Sequence, residues 1–208
     1  MEPFTAPNPE LYSKLFGLNF KGASTSGKIW IFTREGFNFD VMDDSEQALH
    51  GILRLEACSQ PVAVTTAIYA KCTRAERYPL WYKLRDLADN LESRPWIIGG
   101  DFNNILNPRD RSGSESNRQA EMLDFAEAIE DCRLVDVGFD GAPFTWAKNN
   151  LFERLDRVFI NEQWMSVFEA TRITNLPRVT SDHGPIPVRC KTKVTGDKVG
   201  TSDSRTCG

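Results

Sequence analysis

The sequence predicts an α/β domain, and three observations carry that expectation. Four strand-like runs follow one another before residue 70, an amphipathic helical stretch then returns the chain to a short apolar strand at Trp96, and further strand-like runs fill the second half. With 208 residues, 40% hydrophobic and 26% charged, the chain has enough apolar sequence to bury one core. No repeat at a fixed period is visible, which argues against a solenoid or propeller.

Residues 1–27 carry Pro3, Pro7, Pro9, Gly17, Gly22 and Gly27, so they read as a weakly structured segment in which only Leu11 to Leu18 forms a short helix. Lys28–Thr33, Phe37–Met42, Gln47–Glu56 and Pro61–Tyr69 are expected as one β-meander, joined by Arg-Glu-Gly, Asp-Asp-Ser-Glu and Cys-Ser-Gln turns. Leu80, Leu84, Leu87, Ala88 and Leu91 recur at helical spacing and predict a helix over 74–92, with Pro79 in its first turn. Ser116-Asn117-Arg118-Gln119 has the form of a capping box ahead of a second helix, whose buried stripe is Met122, Phe125, Ala126 and Ile129. Strands are expected at Phe144–Lys148, Arg154–Ile160, Ala170–Asn175 and Ile186–Cys190, with a short helix over Glu162–Phe168. Residues 191–208 are too poor in apolar side chains to pack and read as a disordered tail, leaving 28–190 as the folded domain.

The net charge of −4 argues against a broad nucleic-acid-binding surface, though a local basic groove is compatible with it. No run of about 18 apolar residues suggests a membrane span, and the first residues lack the basic and apolar regions of a secretory signal. A nuclear or cytoplasmic protein, not a secreted one, is expected. Five cysteines lie scattered at 58, 72, 132, 190 and 207 without a Cys-x-x-Cys, and two histidines do not complete a zinc site, so reduced thiols are expected.

Three short stretches carry candidate chemistry. In Arg94–Leu106, a buried-type strand through Trp96, Ile97 and Ile98 stops at Gly99-Gly100 and is followed by Asp101, Asn103 and Asn104. Strand ends are where polar groups of α/β sheets face a crevice, although Asp and Asn after Gly-Gly also form ordinary turns. In Glu153–Ile160, the lone acid Asp156 lies within apolar sequence between Arg154 and Arg157, which also fits a surface ion pair. In Thr180–Pro185, His183 follows Asp182 directly. A carboxylate can hold an imidazole in one tautomer and stabilise its protonated form, as hydrolysis requires, while a loop histidine bonded to backbone is the plainer reading.

Taken in order, Gly-Asp-Phe-Asn at a strand end, Arg-Leu-Asp-Arg and Ser-Asp-His resemble the endonuclease/exonuclease/phosphatase superfamily, and Ala67-Ile-Tyr-Ala70 looks like its tyrosine strand. Phe144-Thr-Trp146, Asn161-Glu-Gln-Trp164 and Ser181-Asp-His183 are most similar to the endonuclease domain of plant LINE-type non-LTR retrotransposons, and the likeness runs from about Leu15 to Cys190. The resemblance implies a four-layer α-β-β-α sandwich of DNase I type with two sheets face to face. It implies that Tyr69 touches the scissile phosphate, Asp101 orients or deprotonates the attacking water and Asn103 binds the phosphate. Asp156 would hold His183, which stabilises the phosphorane or transfers a proton, and Asp182 would assist at a metal or water. Asn104, Arg109 and Arg154 are the substrate-binding candidates; in an inactive remnant, nucleic-acid contact would survive at most through Arg109, Arg111, Arg118, Arg154 and Arg178.

The family uses a divalent cation, expected to be Mg²⁺, and DNA is the expected partner. Hard cations prefer carboxylate oxygen. Here the sequence departs from the family, because its opening Asn strand and the strand ending in a Gln-Glu pair have no match; no Gln-Glu pair occurs anywhere. The expectation is therefore a truncated, catalytically impaired phosphodiester hydrolase, lacking the N-terminal strands, with Glu35 or Asp43 as the substitute ligands to test. The alternatives are an inactive retrotransposon remnant that retains nucleic-acid contact, and a phosphoesterase for small phosphorylated molecules.

Overall fold

A computed structural model describes residues 8–57, 61–91, 93–114 and 116–193. The segment read as a tail lies outside the described residues beyond Lys193, while Lys191 and Thr192 belong to a strand.

Residues 9–23 are more ordered than their prolines and glycines suggested. Helix α1 (Pro9–Phe16) is capped by the Asn8 side chain, which accepts from the Leu11 N–H at 3.0 Å, and it ends at Gly17 in the left-handed conformation. Strand β1 (Asn19–Ala23) pairs with β2 (Trp30–Thr33) through a turn containing Gly27 at φ 67°. Most of the breakers therefore sit at element ends: Pro9 occupies the first helical turn, where its missing N–H costs nothing, Gly17 and Gly27 take the turns, and Gly22 lies within β1 at its bulge.

Strands β3 (Phe37–Asp44), β4 (Ala48–Leu55) and β5 (Pro61–Tyr69) form the antiparallel meander. The first of the four expected members, β2, leaves it and pairs with β1 instead. Helix α2 (Arg74–Asp89) starts at Thr73, whose hydroxyl accepts from the Glu76 N–H, so Pro79 falls in the second turn rather than the first. Strand β6 (Trp96–Asp101) returns parallel to β5. Then come β7 (Arg111–Ser112), α3 (Gln119–Asp131), β8 (Val135–Asp136), β9 (Asp140–Gly141), β10 (Trp146–Lys148), β11 (Leu151–Glu153), β12 (Asp156–Ile160), α4 (Glu162–Val167), β13 (Phe168–Asn175) and β14 (Val188–Thr192). The capping box expected at Ser116 is absent, because α3 begins later; Asn117 Oδ1 takes the Gln119 N–H instead. Ala126 faces outward, and Ala128 takes its place beside Phe125 and Ile129 in the buried stripe.

One six-stranded sheet, in the order β3-β4-β5-β6-β12-β8, is the backbone of the fold. Its helix-covered face packs Val64, Ile68, Trp96, Ile98 and Phe159 against Leu80, Trp81 and Leu84 of α2 and Phe125 of α3. Trp81, Phe125, Phe102 and Phe159 form a chain of ring contacts through this core. The second cluster, Ala63, Ile160, Trp164 and Phe168, belongs to the opposite layer, where β13 and α4 pack. Three smaller sheets complete the mixed α/β architecture: β1-β2, β10-β11-β7 and β14-β13-β9.

Candidate active site

The site is set by strand pairing. Tyr69 at the end of β5 is the partner of Asp101 at the end of β6, and Asp101 is the partner of Asp156 at the start of β12. Neighbours Ile68, Ile98 and Phe159 lie in the helix-side core, so Tyr69, Asp101 and Asp156 share one rung on the opposite face. Close approach of strands β5 and β6 is possible because residue 100 is glycine: it has φ 141°, and a Cβ there would lie 2.1 Å from the Ile68 carbonyl oxygen. His183 reaches this rung from the loop before β14, where its backbone bridges to Trp146. The resulting cleft has a volume of about 230 Å³, and Lys28, Trp30, Tyr69, Asp101, Asp156 and His183 are among its walls.

Asp156 Oδ2 lies 2.9 Å from His183 Nδ1. Because the carboxylate accepts, Nδ1 carries the proton, and Nε2 is the nitrogen 3.9 Å from Asp101 Oδ2. Burial pulls the imidazolium pKa down, but the hydrogen bond and charge of Asp156, with Asp101 and Asp182 adding, outweigh it and leave His183 raised above its ordinary value. Asp156 is itself held by Thr145, a buried hydroxyl that accepts the Leu155 N–H at 3.1 Å and the Asp156 N–H at 3.0 Å. Next to it, Arg157 is buried on the other face and paired with Asp110 and Asp136.

Asp101 folds the next turn onto itself. Its Oδ1 accepts the Asn103 N–H at 2.8 Å, and Asn103 adopts a left-handed φ of 47°, a region that Asn tolerates better than most residues. The Asn103 side-chain amide spends one N–H on the Ala70 carbonyl at 2.7 Å and keeps the second.

Other candidates are placed elsewhere. Asn104 is fully buried and bonded to the Glu121 carbonyl and the Ile105 N–H, and Arg154 is buried against Asp136 and the Phe139 ring, so both are structural rather than open to substrate. Arg111 and Arg118 are tied to Glu153, Arg178 lies over the Phe152 ring, and Arg109 is exposed. Lys28, Trp30 and Thr145 were not singled out in the sequence. Lys28 opened an expected strand, and Thr145 sat inside a noted Phe-Thr-Trp, but neither carries a motif of its own.

The donor set does not fit a dedicated metal cage among the described residues. No group of three or more His, Cys, Asp or Glu side chains there is placed to hold a metal ion. Asp182 is exposed and its oxygens meet the Trp146 indole N–H and the Ser181 hydroxyl. Glu35 lies exposed in the turn between β2 and β3, and Asp43 pairs with Lys83 beside a different cavity. Neither substitutes for a ligand in the cleft. What the rung does bring together is a tautomer-fixed imidazole and a facing carboxylate.

Comparison with known proteins bears on the family and the fold. The model of the Endonuclease/Exonuclease/phosphatase family matches residues 4–183. The "Transposon TX1 uncharacterized 149 kDa protein" of Xenopus laevis is 30% identical over 131 residues, 59% of this chain and 10% of that protein, so the chain spans about a tenth of that relative's length. Among solved structures, the endonuclease domain of TRAS1, a telomere-specific non-LTR retrotransposon, superposes with a TM-score of 0.61 at 14% identity, over 84% of this chain and 77% of that one. A 3'-5' exonuclease from Neisseria meningitidis gives 0.61 at 14% identity over 88% and 84%. A 3' phosphatase from Neisseria bound to a product DNA hairpin gives 0.60 at 15% identity over 88% and 83%. At such identities the solved structures show a shared fold.

Proposed function

The chain belongs to the endonuclease/exonuclease/phosphatase family, and from that premise we propose that it is a phosphodiester hydrolase domain of retrotransposon type, directed at DNA and catalytically impaired with the residues described. The observation that carries the reading is the Asp156–His183 pair facing Asp101 across the cleft. In this reading Asp101 orients the attacking water, Asn103 and Tyr69 hold the phosphate, and the His183 imidazolium donates from Nε2 to a phosphoryl oxygen or the leaving group. Arg109 and Arg178 supply contacts to the DNA backbone.

DNA as substrate is supported by the printed descriptions of two fold neighbours, one a retrotransposon endonuclease and one holding a DNA hairpin. A nuclear or cytoplasmic setting goes with it; no helix of the described residues is long and apolar enough to cross a membrane. A divalent cation would supply charge stabilisation at the non-bridging oxygens, the larger share of most phosphoryl chemistry. Asp101 and Asp182 are the carboxylates nearest His183 that could approach it, and they do not form a cage, so Mg²⁺ binding is weak and acid–base help, worth about 10²- to 10⁴-fold, stands alone.

The test is nicking of supercoiled plasmid by the full chain with Mg²⁺, beside His183→Ala, with Mg²⁺ and duplex DNA binding followed by calorimetry. We expect salt-sensitive DNA binding, no cleavage above the His183→Ala control, and no saturable Mg²⁺ binding near about 1 mM, the weak end of ordinary protein sites. Strong cleavage abolished by His183→Ala overturns the impairment. Hydrolysis of a small phosphate ester without DNA binding overturns the nuclease assignment.

A further inference from the structure

Arg77 belongs to none of the motifs, yet its guanidinium is almost completely buried, 1% exposed. Three main-chain carbonyls converge on its Nη1: Lys71 at 3.2 Å and Cys72 at 2.8 Å, both just after β5, and Asn103 at 3.0 Å, just after β6. Its Nη2 meets the Glu121 carboxylate on α3. Arg118, the residue just before that helix, also approaches, donating to the Asn103 carbonyl at 3.2 Å and to Glu121 at 3.1 Å. Carbonyl dipoles aimed at one another repel, so the two loops that carry the reacting face lie together because a cation sits between them.

We propose that Arg77, assisted by Arg118, is the positioning residue of the site: by clamping the Asn103 carbonyl it holds the left-handed turn through which Asn103 caps Asp101, and so fixes where Asp101 presents Oδ2 to His183. The inference rests on the reading of Asp101, Asn103 and His183 as the reacting face. The geometry gives it a chain of four links. The clamp sets the Asn103 backbone, that backbone aims its N–H at Asp101 Oδ1, the bond orients the carboxylate, and the carboxylate stands 3.9 Å from Nε2 of His183. A lysine would keep the positive charge but not the planar fork that reaches three carbonyls and Glu121 together.

The chain has two histidines, which makes the test direct. Imidazole titration by nitrogen-resolved NMR and amide hydrogen exchange are measured on the full chain as wild type, Arg77→Lys and Arg118→Gln, without metal or DNA. In Arg77→Lys the Asn103 amide is expected to exchange roughly 10- to 100-fold faster, the loss of a charge-assisted hydrogen bond. The His183 midpoint should move upward, because an uncapped Asp101 closes on the imidazolium, while that of His50, whose neighbours are Thr66, Asp43 and Lys83 and not Arg77, stays put. Arg118→Gln, at a less buried position, should move both readouts the same way by less, and it decides the matter if Arg77→Lys does not fold. Faster exchange spread evenly over α2 and α3 with an unmoved His183 midpoint, or a downward shift, overturns the clamp and leaves Arg77 a packing residue. A chain that neither binds nor cuts DNA yet shows the coupled shift overturns the nuclease reading and leaves the clamp standing.

Discussion

Replacing His50 by asparagine should remove a defined part of the protein's acid sensitivity. His50 lies on β4, 9% exposed, with Nδ1 2.7 Å from Thr66 Oγ1, and that hydroxyl also accepts the Trp96 indole N–H at 2.8 Å. With the Trp96 N–H on one lone pair, the Thr66 hydroxyl still has a proton to give, which matches the neutral imidazole that burial favours. Burial lowers the His50 pKa to about 4, with Asp43 pushing it back up and Lys83 down. A histidine whose folded pKa lies below its unfolded value of about 6.5 gives stability that is present above pH 6.5 and drains as the pH falls toward 4. With those two values the linkage relation gives a loss of about 2 kcal/mol between pH 7 and pH 5. Asparagine keeps an acceptor for Thr66 and does not titrate. Urea unfolding at the two pH values should show the wild type losing about 2 kcal/mol more than His50→Asn. His183, raised by Asp156, works in the opposite sense: its contribution is full below pH 6.5 and is lost as the pH rises through its folded value, and it cancels because both proteins contain it. Equal losses in the two proteins would refute the argument.

Two further outcomes follow from the rung. Asp156→Asn removes the hydrogen bond and charge that raise His183 while burial continues to lower it, so its NMR titration midpoint should fall below that of the wild type; an unmoved midpoint would mean that the pair does not govern the imidazole. Gly100→Ala places a methyl 2.1 Å from the Ile68 carbonyl at a φ of 141°, and should destabilise the chain by about 1–3 kcal/mol or more in the same urea assay. An alanine variant as stable as the wild type would show that strands β5 and β6 do not approach as closely as described.

Local pattern made most elements legible and partners much less so. Pro61–Tyr69 was readable to the residue, and the leucines of α2 announced their buried face. Trp30–Thr33 could be recognised as a strand, but nothing local says that it pairs backward with Asn19–Ala23 rather than forward into the meander. Pro9, Gly17 and Gly27 looked like a broken segment because a breaker reads the same whether it ends an element or prevents one. In the site, Asp101, Asp156 and His183 stood out as charged or titratable groups beside apolar runs. Asn103 and Asn104 are alike in sequence, and only the left-handed turn after Asp101 sends one toward Ala70 and the other into the core. Thr145, Lys28 and Arg77 carry no sequence signal because their roles come from what lies opposite them, not beside them.

The common rung of Tyr69, Asp101 and Asp156 has a consequence for when the site comes into being. Helices α2 and α3 each form through backbone bonds between near neighbours in sequence, whereas the rung needs β6 to find β5 across an intervening helix and β12 to find β6 across about a third of the domain. Distant pairings of this kind are the slow part of folding, because the intervening chain must be ordered before they reward it. A collapsed intermediate with both helices formed and β12 still unpaired would have most of its hydrophobic centre, lacking Phe159, and no rung. A one-residue deletion inside β6 would do the same to the finished protein, turning Asp101 toward the helices while Asp156 stayed behind. The rung is thus assembled only when β12 docks, and the NMR midpoint of His183, set by Asp156, also reports how much of the population has completed that step.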